Sequence, residues 1–198
     1  SEAANRALGA IINKYKSING LSYYTYTRLV QSGVNPILDY CSEIWGFKTY
    51  KQIDAIQNKA IRIFLGVHQY APLAAINGDM GWTCSDVRHK VCMLRLWNRL
   101  VKMNVTRLHR KIVEWDMSVG GNTWSSNLRS LLTTIDQPQS YINRDTICIN
   151  RSWALLHEIY CNQWKVDILN KPKLRTYVTF KSQFNVQPYV LSFMNRGY

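Results

Sequence analysis

Apolar residues recur at helical spacing along most of this 198-residue chain, and glycine, asparagine or proline ends most of the segments. The clearest segment covers residues 48–65 and is followed by Gly66, a helix stop signal. Its apolar stripe consists of Ile53, Ile56, Ala60 and Phe64. Because 46% of the residues are hydrophobic and only 19% are charged, the chain has enough apolar surface to fold. The pattern predicts a mainly α fold: a helical bundle followed by a smaller helical extension.

Two glycines and an asparagine at positions 120–122 form the best candidate boundary, since this sequence interrupts any helix. We therefore expect a bundle over residues 1–119 and an extension over residues 120–198. A long helix is expected over residues 83–103, and further helices over residues 152–169 and after Pro188.

Three shorter segments carry more local expectations. Residues 71–76 are predicted to form a short helix that Asn77-Gly78 ends, and residues 136–140 to form a loop. The pattern in Leu174–Phe180 alternates, which predicts a strand or an extended arm.

The charge is strongly unbalanced, with 25 lysines and arginines against 12 carboxylates and a net charge of +13. Such an excess indicates an acidic partner: a nucleic acid, an anionic membrane surface or an acidic protein. No apolar run approaches the length of a membrane span, and the N-terminus lacks a signal-peptide pattern. The expectation is an intracellular protein, nuclear or cytoplasmic, that does not engage a membrane.

The five cysteines are odd in number, scattered and without any CxxC pair, which favours buried, reduced thiols. Two pairs share a helix face, His89 with Cys92 and His157 with Cys161, and together they could supply four zinc ligands. Buried cysteines beside exposed histidines are much commoner than such a site. We therefore expect no metal and no cofactor.

Basic residues line one side of the expected long helix. Arg88, Arg95, Arg99 and Lys102 are spaced seven, four and three residues apart, which aligns them over several turns. No Asp or Glu occurs between positions 88 and 111. An aligned row of cations suits a phosphate backbone, whereas an ordinary solvated face would carry charges of both signs. The other candidate backbone contacts are Lys48, Lys51, Lys59, Arg62, Arg107, Arg110 and Lys111.

Aromatic side chains lie beside some of these cations. Trp45, Phe47 and Tyr50 surround Lys48, where a ring could stack on a base or could close over the neighbouring helices. The sequence contains no glycine-rich phosphate loop, no GxSxG motif and no adjacent pair of carboxylates. These observations predict a binding protein rather than an enzyme.

One longer pattern spans Pro36 to Gly66. It reads Pro-x-Leu-x-Tyr-x-x-x-x-Trp-Gly, followed by Ile-x-x-Ile-Gln-x-Lys-Ala-x-Arg-x-x-Leu-Gly. This order resembles the region after the palm in reverse transcriptases of LINE-type, non-LTR retrotransposons, where the thumb begins. The similarity extends to Gly78-Asp79-Met80-Gly81-Trp82 and, patchily, to Leu174-Arg175-Thr176-Tyr177.

The resemblance implies that residues 1–119 are a thumb-like helical bundle that grips a template–primer duplex, with a linker after it. Lys59 and Arg62 would then be the leading duplex contacts, and RNA, DNA and the rest of the polyprotein would be the partners. The Tyr-x-Asp-Asp signature of the polymerase is missing. The chain is therefore expected to be a non-catalytic fragment, an excised domain or a domesticated remnant. The alternative is a protein-interaction or scaffold domain that does not bind nucleic acid.

Overall fold

The computed structural model describes residues 2–192, and within that range the regular structure is helical, without any strand. The helices are α1 (Glu2–Ser17), α2 (Tyr23–Gly33), α3 (Asn35–Leu38), α4 (Ser42–Trp45), α5 (Lys51–Leu65), α6 (Leu73–Met80), α7 (Ser85–Lys102), α8 (Leu108–Val119), α9 (Trp124–Thr134), α10 (Pro138–Asn143), α11 (Ile149–Leu169), α12 (Arg175–Phe180) and α13 (Pro188–Leu191). A short 3-10 helix covers Pro172–Leu174. The predicted mainly α fold is confirmed.

The described residues form two compact units. The first contains residues 2–40, 50–85 and 160–192, and the second contains residues 41–49 and 86–159. This grouping differs from the sequential division expected at residue 120. The glycine pair connects α8 to α9, and these two helices pack on each other inside the second unit. The Asp116 carboxylate at the end of α8 accepts the Ser125 N–H of α9 at 2.8 Å.

The core of the first unit is aromatic. The rings of Tyr26 and Phe64 lie 4.8 Å apart between α2 and α5, and both side chains are fully buried. The Tyr26 hydroxyl donates to the Ala60 carbonyl at 2.9 Å, so the buried polar atom has a partner. Burial raises the pKa of this hydroxyl above its usual value of 10. Gly66 ends α5 in the left-handed conformation, as predicted.

Helix α6 departs from its predicted end, because it continues through Asn77-Gly78 and stops at Gly81, whose φ is +63°. Gly78 lies inside the helix for a packing reason. A Cβ atom there would lie 2.6 Å from Cζ2 of Trp164 and 2.8 Å from the Tyr177 hydroxyl. The missing side chain lets α11 and α12 approach α6 closely.

The predicted strand over residues 174–180 is wrong, because this segment is the 3-10 turn followed by α12. Leu174 and Tyr177 both pack against the core of the first unit, and residues three apart share a side only in a helix. The predicted loop at 136–140 is also wrong in part, since α10 begins at Pro138 with proline in its first turn. The helix predicted after Pro188 is confirmed to Leu191, and its continuation past residue 192 lies outside the described residues.

In the second unit, the inner face of α7 is fixed by polar contacts as well as by packing. The indole N–H of the buried Trp97 donates to the Asp145 carbonyl at 3.0 Å. The Asn98 amide donates to the Ile147 carbonyl and accepts the Ile147 N–H, at 2.8 and 2.9 Å. These bonds hold the segment that leads into α11 on one side of α7. The opposite side of α7 therefore faces solvent.

The prediction of buried cysteines is wrong. Cys148 is exposed, and the other four cysteines are half-buried. For Cys92 the reason is visible in the helix: it lies four residues after Arg88 and three before Arg95, on the basic side of α7. Within residues 2–192, no helix combines the length and the apolar composition that crossing a bilayer requires.

Candidate nucleic-acid interface

The four cations aligned in the sequence, Arg88, Arg95, Arg99 and Lys102, lie on α7 and are called the α7 row. Arg95, Arg99 and Lys102 are exposed and Arg88 is half-buried. The other side of α7 is buried through Val87, Val91, Met93, Leu94, Trp97 and Leu100. This amphipathic arrangement places the row on the solvent-facing side of the helix. Among the described residues, Arg95 and Lys102 have no ion-pair partner.

Arg99 differs from Arg95 and Lys102 because it has a carboxylate partner that the local sequence does not show. Its Nη2 atom lies 3.0 Å from Oε1 of Glu43, which is 56 residues earlier in the chain. The Glu43 carbonyl also accepts the indole N–H of Trp124 at 2.8 Å, which fixes the backbone that carries the carboxylate. The charge of Arg99 is therefore partly neutralised.

The row borders a shallow depression of about 410 Å³. Its lining residues are Glu43, Cys92, Arg95, Asn98, Arg99 and Ile149. Two guanidinium groups at one depression can each bind a phosphate oxygen pair in the bidentate manner that suits arginine. Two cations of the α7 row therefore meet at this depression, and the Glu43 carboxylate in its lining partly offsets their charge.

Arg110 was predicted to contact a nucleic-acid backbone, and this prediction is wrong. Its side chain is buried, and Nη2 lies 2.7 Å from Oε1 of Glu114 while Nη1 donates to the Leu100 carbonyl at 3.2 Å. Arg144 pairs with the other Glu114 oxygen at 3.1 Å. The guanidinium of Arg110 thus joins α7 to α8 inside the unit and offers no exposed charge to a ligand.

The other candidates of the second unit are accessible. Arg107, immediately before α8, and Lys111, in its first turn, are exposed. Lys48 is exposed as well, with its Nζ atom 5.6 Å from the centre of the Phe47 ring. Trp45 packs edge-on against the buried His89 ring at 4.8 Å, which matches the closing role considered for it rather than a stacking platform.

In the first unit, α5 carries Lys51, Lys59 and Arg62. Lys51 and Lys59 are exposed, and Lys59 lines a shallow depression of about 300 Å³ with Asn5 and Gln52. Arg62 is half-buried, and its Nε atom is buried without a hydrogen-bond partner. Of the two contacts that the resemblance implies, Lys59 is therefore the accessible one.

Two carboxylates of the first unit, those of Asp54 and Asp79, accept hydrogen bonds that hold neighbouring segments together. Asp54 accepts both the N–H and the hydroxyl of Ser85, at 3.3 and 2.7 Å, where α7 begins. Asp79 accepts the hydroxyls of Tyr177 and Tyr189 at 2.8 and 2.6 Å. Burial, followed by the charge of Asp79, raises the pKa of Tyr177, so this hydroxyl stays protonated and keeps donating.

The two histidines of the possible zinc ligand pairs contact aromatic rings. His89 contacts Trp45, and the His157 ring stacks on Trp153 at 5.0 Å. No group of three or more His, Cys, Asp or Glu residues in the described part of the chain is arranged to hold a metal ion. Comparison of the chain with protein-family models, with curated proteins and with solved structures yields no significant match.

Proposed function

We propose that this chain is a non-catalytic nucleic-acid-binding module that holds the phosphate backbone of a duplex or an RNA–DNA hybrid. The observation that carries the proposal is the solvent-facing α7 row, in a chain with a net charge of +13. Arg95 and Lys102 are exposed, so a phosphate can reach their charges. Further exposed cations in the same unit are Arg107, Lys111 and Lys48. Contacts of this kind give affinity without base specificity.

The proposal includes the origin that the sequence pattern implies. A module related to the thumb and linker of a LINE-type reverse transcriptase would meet duplexes by shape and charge. In the first unit, considered by itself, Lys51 and Lys59 of α5 are the exposed candidates for phosphate contacts. The catalytic carboxylates of the polymerase are not part of this proposal, and primer-extension assays with magnesium or manganese should show no activity.

The test compares binding of an RNA–DNA hybrid, duplex DNA and single-stranded RNA at several salt concentrations. The matched variants are Arg95→Gln/Lys102→Gln in the row and Lys14→Gln/Lys16→Gln in α1, which remove the same charge from exposed sites. Each phosphate contact contributes close to one unit to the slope of log affinity against log salt. We expect the row variant to weaken binding of all three probes and to flatten the slope by about two units.

The α1 variant should bind almost as the parent does, and both variants should keep the parent's circular dichroism and melting temperature. Equal slopes for the two variants would show that only net charge matters and that the α7 row is an ordinary solvated face. Weak binding by the parent itself, insensitive to salt, would instead favour the protein-scaffold alternative.

A further inference from the structure

Helix α8 exposes a continuous line of large apolar side chains. Leu108, Ile112, Trp115 and Val119 are spaced four, three and four residues apart, so they share one side of the helix, which is called the α8 stripe. Their exposed fractions are 67%, 50%, 65% and 57%. The residues that anchor α8 inside the unit, Arg110 and Val113, lie on its other side and are 6% and 8% exposed.

This pattern is unusual for a solvated helix face. Single exposed apolar residues are common on protein surfaces, but four aligned along three turns form a contiguous patch of the kind that marks interaction sites. A tryptophan at the centre strengthens the assignment, because tryptophan is enriched among the residues that dominate binding energy in interfaces. The spacing also matches the apolar seam through which helices bind each other.

The exposed charged side chains beside the α8 stripe are basic. Arg107 and Lys111 border it and are exposed. The two carboxylates of α8 are engaged elsewhere: Glu114 pairs with Arg110 and Arg144, and Asp116 accepts the Ser125 N–H. A partner on this face therefore meets apolar side chains edged by positive charge.

We propose that the α8 stripe is the docking site for an acidic amphipathic helix of a protein partner. The partner helix lays its apolar residues along Leu108, Ile112 and Trp115 and directs carboxylates toward Arg107 and Lys111. A second copy of this chain fits the stripe less well, because each copy has the same basic border and a net charge of +13. This inference does not depend on nucleic-acid binding.

The test uses two fluorescein-labelled helical peptides of about 20 residues, long enough for the four stripe positions. Both have leucines at the spacing of the stripe, one with glutamates beside them and the other with lysines. The acidic peptide should bind with a dissociation constant on the order of micromolar, and the basic peptide at least tenfold more weakly. Leu108→Ser/Trp115→Ser should weaken binding of the acidic peptide at least tenfold, since both anchors are lost.

Leu169→Ser is the matched control, because Leu169 is exposed to the same 67% as Leu108 and lies on α11. It should leave peptide binding unchanged. Arg107→Glu/Lys111→Glu gives an independent test that retains the stripe: it should invert the preference, so that the basic peptide binds better than the acidic one.

Results of three kinds would overturn the proposal. The first is equal binding of the acidic peptide by the parent and by a folded Leu108→Ser/Trp115→Ser variant, or an unchanged preference after charge reversal. The second is that the parent sediments as a dimer and the Leu108→Ser/Trp115→Ser variant as a monomer. A second copy of the chain would then be the occupant of the stripe. The third is loss of duplex binding in the stripe variant without any peptide binding by the parent, which would assign the stripe to nucleic acid.

Discussion

In the first unit, the polar groups around α6 form hydrogen bonds with one another. In the second unit, the α7 row lies on the solvent-facing side of its helix. Around α6, Trp164 donates to the Ala74 carbonyl at 2.7 Å, Tyr177 donates to Asp79, and Gly78 lies against the Trp164 ring and the Tyr177 hydroxyl. We call these five residues the α6 cluster. On α7, Arg95 and Lys102 have no ion-pair partner among the described residues. Buried polar groups need partners and contribute to stability, while exposed cations stay available for a ligand.

Because of this difference, we expect substitutions in the α6 cluster to change the free energy of unfolding. Substitutions in the α7 row should change the affinity for nucleic acid. Lys181 of the first unit is also buried and has hydrogen-bond partners. Its ammonium group donates to the backbone carbonyl and to the side-chain oxygen of Asn185. Burial lowers the pKa of Lys181, and the nearby Asp79 carboxylate partly offsets that effect. A lysine held in this way cannot also serve a nucleic acid.

The largest expected effect is that of Trp164→Ala. It removes a side chain that is only 3% exposed and leaves the Ala74 carbonyl without its indole donor. We expect the free energy of unfolding to fall by about 3–5 kcal/mol in urea denaturation. Trp153→Ala on the same helix is the control, since Trp153 is 48% exposed, and it should cost about 1 kcal/mol or less. Similar losses for both variants would contradict the expectation that the buried contacts around α6 control stability.

A smaller effect is expected for Gly78→Ala, because the added methyl group meets Trp164 and Tyr177, whose polar atoms are held by hydrogen bonds. The free energy of unfolding should fall by about 1–3 kcal/mol. Gly9→Ala in α1 is the matched substitution, since a Cβ atom there has nothing within 4 Å. It should stabilise the chain by about 0.5–1 kcal/mol, as alanine does inside helices. If Gly78→Ala also stabilised the protein, close packing of Trp164 and Tyr177 would not explain why position 78 is a glycine.

The smallest effect is expected for Glu43→Gln, which removes the carboxylate that pairs with Arg99. Exposed ion pairs contribute about 0.2–1 kcal/mol, so the duplex affinity should rise by roughly 1.4- to fivefold at low salt, with stability almost unchanged. Glu2→Gln, which changes the net charge equally in the first unit, controls for long-range electrostatics. An equal rise in both variants would show that Glu43 does not limit the charge of the α7 row.

The sequence predicted the helices that have a long apolar repeat and failed where local signals were ambiguous. The helices at residues 51–65, 85–102 and 149–169 lie close to their predicted positions. The errors fall at α6 and α12, where Asn77-Gly78 suggests a stop and Leu174–Phe180 suggests a strand. In both places a contact with a residue far away in sequence, Trp164 or Asp79, favours the helix.

For the candidate site, the sequence identified the alignment of the α7 row but not the accessibility of each cation. Arg95 and Arg110 belong to the same basic run in the sequence, yet one is exposed and the other is buried. Glu43 and Arg144 were not predicted to take part, because their partners lie 56 and 30 residues away. No local pattern could have indicated these pairs.

Helical periodicity, the excess of positive charge and the alignment of cations on α7 follow from the sequence alone, because they depend on the order of neighbouring residues. The tertiary structure decided which cations are paired, which glycine lies under an indole ring, and which apolar face of α8 remains open. Burial and ion pairing depend on contacts between segments that are distant in the chain. Those contacts exist only once the helices have packed.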